Sequence, residues 1–281
     1  MRRILIFIAA SMGFVASPLT AEAPSDSVDT EICEGCEALL DLALSHSRRA
    51  GDRARDEWRH PAETLAFFRI RPGMTVVDVM PASGWYTRIL VPYLGKDGHY
   101  IGLNPDPAPA NSEGLTKYLG GLREKFPAAA ANWQLQGAPV EAYNTNELPE
   151  DLDGTVDRVL IFREMHNLHR NGLLHAELNQ YRDLLKSGGM LGIVQHRAKP
   201  WAPAGYVTGN KGYMRQQDII GLVEAHGFDL VATSEINANR RDTADYPGGV
   251  WELPPVERTK REELKAIGES DRMTLLFRKR P

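Results

Sequence analysis

The sequence lacks several features that would point to particular classes of protein. Cysteine occurs only twice in 281 residues, at Cys33 and Cys36, and these two alone cannot supply the four ligands of a structural zinc site. Neither charge is in large excess, because 33 Lys and Arg oppose 37 Asp and Glu with a net charge of -4. This balance argues against general electrostatic binding to nucleic acid or anionic lipid. We therefore expect a small-molecule substrate and no nucleic-acid partner.

Long hydrophobic runs are also absent after the amino-terminal segment, so no integral membrane span is expected there. What is present is the composition of an ordinary globular protein, 42% hydrophobic and 25% charged. That composition excludes collagen-like, coiled-coil and wholly disordered chains. It gives no indication of the oligomeric state.

The first 23 residues are typical of a secretory signal peptide. Arg2 and Arg3 precede an apolar run over residues 4–16, and small residues follow up to Ala23. The run is too short to span a bilayer. Cleavage after Ala23 and cleavage after Ala21 both remain open, as does an uncleaved or buried helix. We predict a cleavable signal peptide and a periplasmic mature protein.

Cys33 and Cys36 follow the predicted signal directly. In an exported chain this pair would meet oxidants, which favours a short local disulfide. Metal binding needs further ligands that are not nearby, and a thioredoxin-like redox pair would need a preceding strand. We expect a structural or incidental role for the two cysteines.

Strand-like and helical segments alternate after an amino-terminal helical extension, assigned to residues 24–56 and expected to form a lid or cap. Short apolar strands separated by helical crossovers predict an α/β fold with a doubly wound, mostly parallel sheet over residues 57–281. The predicted strands are Thr75–Val79, Gly98–Leu103, Trp133–Leu135, Val156–Phe162, Met190–Gln195, Asp229–Glu235 and Met273–Phe277. The predicted helices between them are Trp85–Leu94, Gly114–Phe126, Leu174–Leu185 and Gln216–His226.

Several motifs resemble those of class I S-adenosylmethionine-dependent methyltransferases, and specifically an exported bacterial group known as predicted methyltransferases. The matching segments include VVDVMPASGWYTRIL, MHNLHR and LLKSGGMLGIVQHRA, and the resemblance covers nearly everything after about residue 57. It implies a Rossmann-like, seven-stranded sheet whose last strand runs antiparallel between the fifth and the sixth. It also implies S-adenosylmethionine as the cofactor.

The resemblance places the cofactor against the loops that follow the first and second strands. The candidate cofactor-binding residues are Asp78, Pro81, Ser83, Gly84, Asn104 and Asp106. The chain departs from the family pattern in three places. Met80 and Ala82 occupy glycine-type positions, Asn104 replaces the acid that accepts the ribose hydroxyls, and residues 137–139, after the predicted third strand, offer no acid for the adenine.

Polar residues also follow the fourth and fifth strands, whose ends lie side by side in a parallel sheet. His166 and His196 are candidate general bases, because imidazole titrates near neutrality. Glu164 joins them as a catalytic candidate, and Asn167 is a candidate substrate-binding residue. The alternative is a metal site that uses the same side chains together with His169. The two-histidine spacing is weak for a metal, and we expect none.

A third polar group follows the sixth strand and precedes the last one. Arg240 or Arg272 there is a candidate for binding a substrate carboxylate or phosphate, although the charge pattern fits a solvated, ion-paired loop equally well. Three functions therefore remain open: a methyltransferase, an exported enzyme with the same fold and another ligand, and a noncatalytic small-molecule-binding protein. Fold analogy cannot choose among them.

Overall fold

The computed structural model describes residues 35–110 and 112–281, which all belong to one compact unit. The predicted signal peptide and Cys33 lie outside the described residues. Cys36, the first residue of helix α1, is disulfide-bonded. No helix in the described part of the chain is long and apolar enough to cross a membrane.

The centre of the fold is a seven-stranded sheet in the order β3-β2-β1-β4-β5-β7-β6. Strand β7 runs in the opposite direction to the other six strands, and it lies between β5 and β6. The predicted doubly wound, seven-stranded sheet is therefore confirmed, as is the antiparallel position of its last strand between the fifth and the sixth. The strands are β1 (Thr75–Val79), β2 (His99–Asn104), β3 (Val140–Asn144), β4 (Val156–Phe162), β5 (Leu185–His196), β6 (Phe228–Ser234) and β7 (Arg272–Lys279).

The third strand lies elsewhere than predicted. Residues 133–135 are not a strand, because the preceding helix continues through Asn132 and Trp133 caps its end. The strand is β3, at the edge of the sheet, where only Ala142 and Asn144 are buried. An edge strand buries little apolar surface, so its hydrophobic pattern is weak. The loop that follows the third strand consequently begins at Thr145 and not at residue 137.

Helices cover both faces of the sheet, as the alternation of strand and helix requires. One face carries α1 (Cys36–Ser45), α3 (Pro61–Phe67), α4 (Thr87–Leu94) and α6 (Leu122–Asn132), and the other carries α8 (Leu174–Leu184) and α9 (Gln216–Ala225). The remaining helices are α2 (Asp56–Arg59), α5 (Glu113–Leu119), α7 (Met165–Arg170) and α10 (Glu262–Lys265). A separate small core forms from the long segments that follow β5 and β6, around Tyr213 and Leu253.

The amino-terminal helices are tied to the start of α4. The indole of Trp85 lies 5.1 Å from the Arg49 guanidinium and 4.6 Å from that of Arg59, at cation–π distance. Asp52 accepts two hydrogen bonds from Arg88, at 2.6 and 2.8 Å. Buried contacts of this kind fix residues 47–59 over the carboxyl end of β1. The segment forms a cap at the edge of the sheet where ligands bind in this class of fold.

Candidate functional site

The loop after β1 adopts an unusual backbone conformation. Met80, Ala82 and Gly84 all have positive φ, at 52°, 48° and 73°. These are the three glycine-type positions of the resemblance, and two of them now carry side chains. Because left-handed backbone disfavours residues with a Cβ, the loop keeps a glycine-type shape at a cost in strain. Pro81 and Ser83, two of the candidate cofactor-binding residues, lie between these three positions.

The position of Gly84 also leaves no room for a side chain. A Cβ built on it would lie 2.2 Å from Cη2 of Trp133, which is far inside van der Waals contact. The Arg88 guanidinium lies on the same indole ring, 4.9 Å from its centroid. The structure thus explains Gly84 by its contact with Trp133, while its predicted role toward a cofactor stays a prediction.

Asp78, near the end of β1, is buried in a hydrogen-bonded chain. The Tyr100 hydroxyl donates to its Oδ2 at 2.8 Å and lies 2.8 Å from the hydroxyl of Thr87. Burial raises the pKa of Asp78 to about 7, although the Tyr100 hydrogen bond and the charge of Arg163 oppose the shift. The carboxyl is therefore poised between its neutral and charged forms near neutral pH.

A cavity of about 80 Å³, here called the inner cavity, lies beside this loop. Its walls are residues 78–83 of the β1 loop, residues 162–164 at the end of β4, and Arg55 and Arg59 from the amino-terminal cap. The cavity thus brings together carboxyl and guanidinium groups that are far apart in the sequence. Neither arginine of the cap was among the sequence candidates.

The end of β4 supplies the other charged wall. Arg163 has a left-handed φ of 64°, and its charge acts on both Asp78 and Glu164. Glu164 accepts a hydrogen bond from the Asn167 side chain at 2.5 Å. Burial raises the pKa of Glu164 to about 7, and the Asn167 bond and Arg163 lower it by less.

The predicted pair of histidines does converge. The His166 and His196 rings lie 5.6 Å apart between centroids. His166 Nδ1 lies 3.5 Å from the side-chain oxygen of Gln195, and His196 Nδ1 lies 2.6 Å from the Ser270 hydroxyl. Burial lowers the pKa of His166 to about 4 and that of His196 well below its ordinary value, and nearby cations add to both shifts. Both rings are consequently neutral at pH 7.

The predicted ribose contacts are covered by a helix. Asn104 is buried and donates its side-chain amide to the Leu119 carbonyl at 3.1 Å. Asn144, at the end of β3, donates to the same carbonyl at 3.0 Å and to the Pro105 carbonyl at 2.8 Å. Asp106 accepts a hydrogen bond from the Ala108 amide. Helix α5 therefore covers the carboxyl ends of β2 and β3.

An outer cleft of about 630 Å³ opens on the other side of Met80. Helix α5 contributes Leu115 and Tyr118 to it, and helix α7 contributes Asn167 and Arg170. Asn167, a predicted substrate-binding residue, thus lies where the outer cleft meets Glu164. The outer cleft is large enough to hold a small organic molecule.

The two predicted substrate arginines lie in different environments. Arg272, at the start of β7, is buried, and it donates to Glu269 at 3.0 Å and to the Trp58 carbonyl. Arg240 is exposed, and neither cavity includes it. The structure does not bring these two arginines together.

The sequence does not reveal the ion-pair cluster around Glu269, and Arg55 and Arg59 were not among its candidates. Arg55, Arg59 and Arg272 all pair with that one carboxylate, at 2.7, 3.4 and 3.0 Å. These charges lower the pKa of Glu269 to about 2 against the effect of its burial. No sequence signal links residue 59 to residue 269, whereas Arg163 could have been found because it directly follows a buried strand.

The metal alternative finds no support in the described part of the chain. Across residues 35–110 and 112–281, no group of three or more His, Cys, Asp or Glu side chains is arranged to hold a metal ion. His166 and His169 lie on the same short helix, but His166 is buried while His169 is exposed.

No protein-family model matches the sequence, and no curated protein matches it. Among solved structures, the fold is similar to an S-adenosylmethionine-dependent methyltransferase from Aquifex aeolicus, with a TM-score of 0.50 and 17% identity over 81% of this chain and 93% of that chain. A 1,6-didemethyltoxoflavin-N1-methyltransferase from Burkholderia thailandensis matches with a TM-score of 0.47 and 15% identity, over 95% and 94%. The first likeness, together with the strand order, establishes the class I methyltransferase fold.

Proposed function

We propose that the chain is an exported S-adenosylmethionine-dependent methyltransferase that acts on a small molecule in the periplasm. The observation that carries the proposal is the backbone of the β1 loop. Met80 and Ala82 hold left-handed conformations that glycine would adopt without strain. Strained backbone of this kind persists where the surroundings require the shape, and it is concentrated at ligand-binding sites.

The residues present fit the cofactor at one end of the site. The β1 loop offers small or compact residues at Pro81, Ser83 and Gly84, which allow a ligand to approach the backbone. At the other end, α5 covers Asn104, so the nucleoside can be held there only after α5 moves. When bound, S-adenosylmethionine would supply an activated methyl group. Asp78 and Asp106 complete the predicted set of binding residues.

The residues at the ends of β4 and β5 can position and deprotonate a methyl acceptor. Methyl transfer depends mainly on in-line positioning, with a base where the acceptor carries a proton. A pKa of about 4 leaves His166 neutral at pH 7, so its ring can accept a proton, and it also makes His166 a weaker base than an exposed histidine. His196 lies against it, and the carboxyl of Glu164 can receive a proton near neutral pH because its pKa is about 7.

A second candidate function rests on helix α5. Both Asn104 and Asn144 bond to Leu119 in place of a ligand. This arrangement favours a protein that keeps the fold and binds another small molecule in the outer cleft. Binding measurements distinguish the two functions.

Calorimetric titration of the purified mature protein with S-adenosylmethionine and S-adenosylhomocysteine tests the leading proposal. We expect both to bind, and a hundredfold excess over the dissociation constant should stabilise the fold by about 2.7 kcal/mol. His166→Ala should keep this binding and lose turnover, while His169→Ala, an exposed position on the same helix, should keep both. No binding of either nucleoside would favour the second candidate.

The export proposal has its own test. Mass measurement of the protein from fractionated cells should find a mature chain that begins near Glu22 or Pro24 in the periplasm. An intact chain from Met1 confined to the cytoplasm would contradict it.

A further inference from the structure

A second pair of histidines, here called the surface pair, lies outside the candidate functional site. His175 is the second residue of α8, and His226 directly follows the last residue of α9. The Nδ1 of His175 lies 3.0 Å from the Nε2 of His226, and the two ring centroids are 4.9 Å apart. Neither ring lines the inner cavity or the outer cleft. The fold thus brings together two imidazoles that are 51 residues apart in the sequence.

The tautomer of His226 is fixed by the backbone of its own helix. Its Nδ1 lies 2.7 Å from the Leu222 carbonyl, and a carbonyl oxygen can only accept a hydrogen bond. In the neutral ring Nδ1 therefore carries the hydrogen, and Nε2 presents its lone pair toward His175. Histidines that bind metal ions usually donate their other ring N–H to a backbone carbonyl or a carboxylate in this way. His226 consequently has the hydrogen-bonding pattern of a metal ligand.

The distance between the two ring nitrogens suits a shared ion. Ring nitrogens bind zinc at about 2.0–2.1 Å, so two of them on one ion lie about 2.9–3.4 Å apart for ligand angles of about 90–110°. The observed 3.0 Å falls within this range. Without an ion, His175 Nδ1 donates a hydrogen bond to His226 Nε2 across the same distance. An ion takes the place of that hydrogen, which moves to Nε2 of the exposed His175 ring.

The charges beside the surface pair do not oppose a cation. Two arginines, Arg182 and Arg280, lie against Gly227 in the turn after α9. Arg280 pairs with Asp229 at 2.6 Å, and Arg182 pairs with Asp183 at 3.9 Å. Each arginine thus has an acidic partner, and neither adds an unpaired positive charge beside the rings.

We propose that His175 and His226 bind one divalent transition-metal ion, of the zinc, nickel and copper group, through Nδ1 and Nε2 respectively. Imidazole nitrogen is a favoured ligand of these ions, and water completes the coordination. Among the described residues no group of three or more His, Cys, Asp or Glu side chains could hold a metal ion, so this two-ligand site is open and its ion exchangeable. The ion joins the start of α8 to the end of α9. The proposal does not depend on the proposed methyltransferase activity.

Calorimetric titration of the metal-free mature protein with zinc tests the site. We expect saturable binding of one zinc ion per chain. The melting temperature should rise as well, because the ion binds the folded state in which the two helices meet. Absence of saturable binding would overturn the proposal. One ion per two chains would also overturn it, because the ligands would then come from two copies.

Two variants and a matched control assign zinc binding to the surface pair. His175→Gln and His226→Gln should each weaken binding at least about tenfold, because a single imidazole is left. His175 is exposed, so its substitution leaves the fold intact and keeps the test decisive. His46→Gln removes another exposed imidazole, whose ring nitrogens bond to Arg48 and not to a second histidine. Zinc binding that survives in His175→Gln, or that is lost equally in His46→Gln, would overturn the assignment.

Nitrogen NMR of isotope-labelled histidines identifies the ligand atoms. Zinc should shift the signals of His175 Nδ1 and His226 Nε2, while His226 Nδ1 keeps its proton against the Leu222 carbonyl. Shifts confined to His166 and His196 would place the ion in the candidate functional site and would overturn the assignment to the surface pair.

Discussion

Asn104 and Leu119 are joined by a hydrogen bond from the asparagine amide to the leucine carbonyl, 3.1 Å long. Asn104, which the sequence predicts to bind the ribose, therefore binds the end of helix α5 instead. If the proposed S-adenosylmethionine site uses Asn104, α5 has to move before the ribose can bind there. The apparent affinity for the nucleoside would then be lowered by the fraction of molecules in which α5 has moved.

Asn144→Ala should tighten binding of S-adenosylhomocysteine. The substitution removes two hydrogen bonds to the backbone at Pro105 and Leu119, which together contribute about 1 kcal/mol or more to the covered arrangement. We expect about fivefold tighter binding by calorimetry. Asn132→Ala, an exposed position at the end of α6, is the control and should bind as wild type does. Unchanged or weaker binding in Asn144→Ala would argue that α5 does not compete with the ligand.

Ala82→Gly should stabilise the protein. Ala82 is exposed and has a φ of 48°. Glycine at this position relieves roughly 1–2 kcal/mol of left-handed backbone strain in the folded protein, but it also makes the unfolded chain more flexible, which costs about 0.5–1 kcal/mol. We expect the free energy of unfolding, measured by chemical denaturation, to rise by about 0.5 kcal/mol. Ala66→Gly, on the exposed side of α3, should instead lose about 1 kcal/mol. Equal losses at both positions would show that the β1 loop is not strained.

Asp78→Asn should become more stabilising as the pH rises. In the unfolded chain Asp78 ionises near its ordinary value of 3.8, but burial raises its pKa in the folded protein to about 7. The folded state thus binds more protons between these values, and wild-type stability falls as the pH rises through that window. Asparagine can still accept the Tyr100 hydrogen bond and avoids the penalty.

The difference between Asp78→Asn and wild type is measured by urea denaturation from pH 4 to pH 8. A shift of about three pKa units corresponds to about 4 kcal/mol as an upper bound. A difference that stays constant across this range would show that Asp78 is ionised in the folded protein throughout.

Glu269→Gln should strongly destabilise the cap. It leaves the buried guanidinium groups of Arg59 and Arg272 without their carboxylate, and breaking a buried ion pair from one side costs about 3–5 kcal/mol. The exposed Glu263→Gln is the control, because its pairing with Arg261 lies at the surface. Similar melting temperatures for the two variants would show that Glu269 does not hold the cap in place.

The sequence was sufficient to predict the sheet, because most of its strands are buried on both faces. Runs such as Val76–Val79 and Leu191–Val194 are almost entirely apolar. Such runs identify buried strands from the sequence alone. Val140–Asn144 was missed because an edge strand alternates weakly, and the alanine-rich stretch before it continues as helix. The meeting of His166 and His196 followed from parallel strand ends alone.

The electrostatics of the site could not be predicted from the sequence. Arg59 and Glu269 are 210 residues apart, and no local pattern pairs them. The contact of Asn104 with Leu119 depends on the position of α5. That position is determined by the packing of Leu119 into the core. Sequence patterns locate elements, whereas side-chain partners across loops depend on the assembled fold.

Hydrogen–deuterium exchange with and without saturating S-adenosylhomocysteine shows whether the nucleoside binds at the β1 loop and displaces α5. We expect slower exchange at residues 80–86 of the β1 loop, where the ligand would contact the backbone, together with changed exchange across 113–119 as α5 leaves Asn104. Unchanged exchange at both segments, in a sample shown to be folded, would contradict binding of the nucleoside at this site.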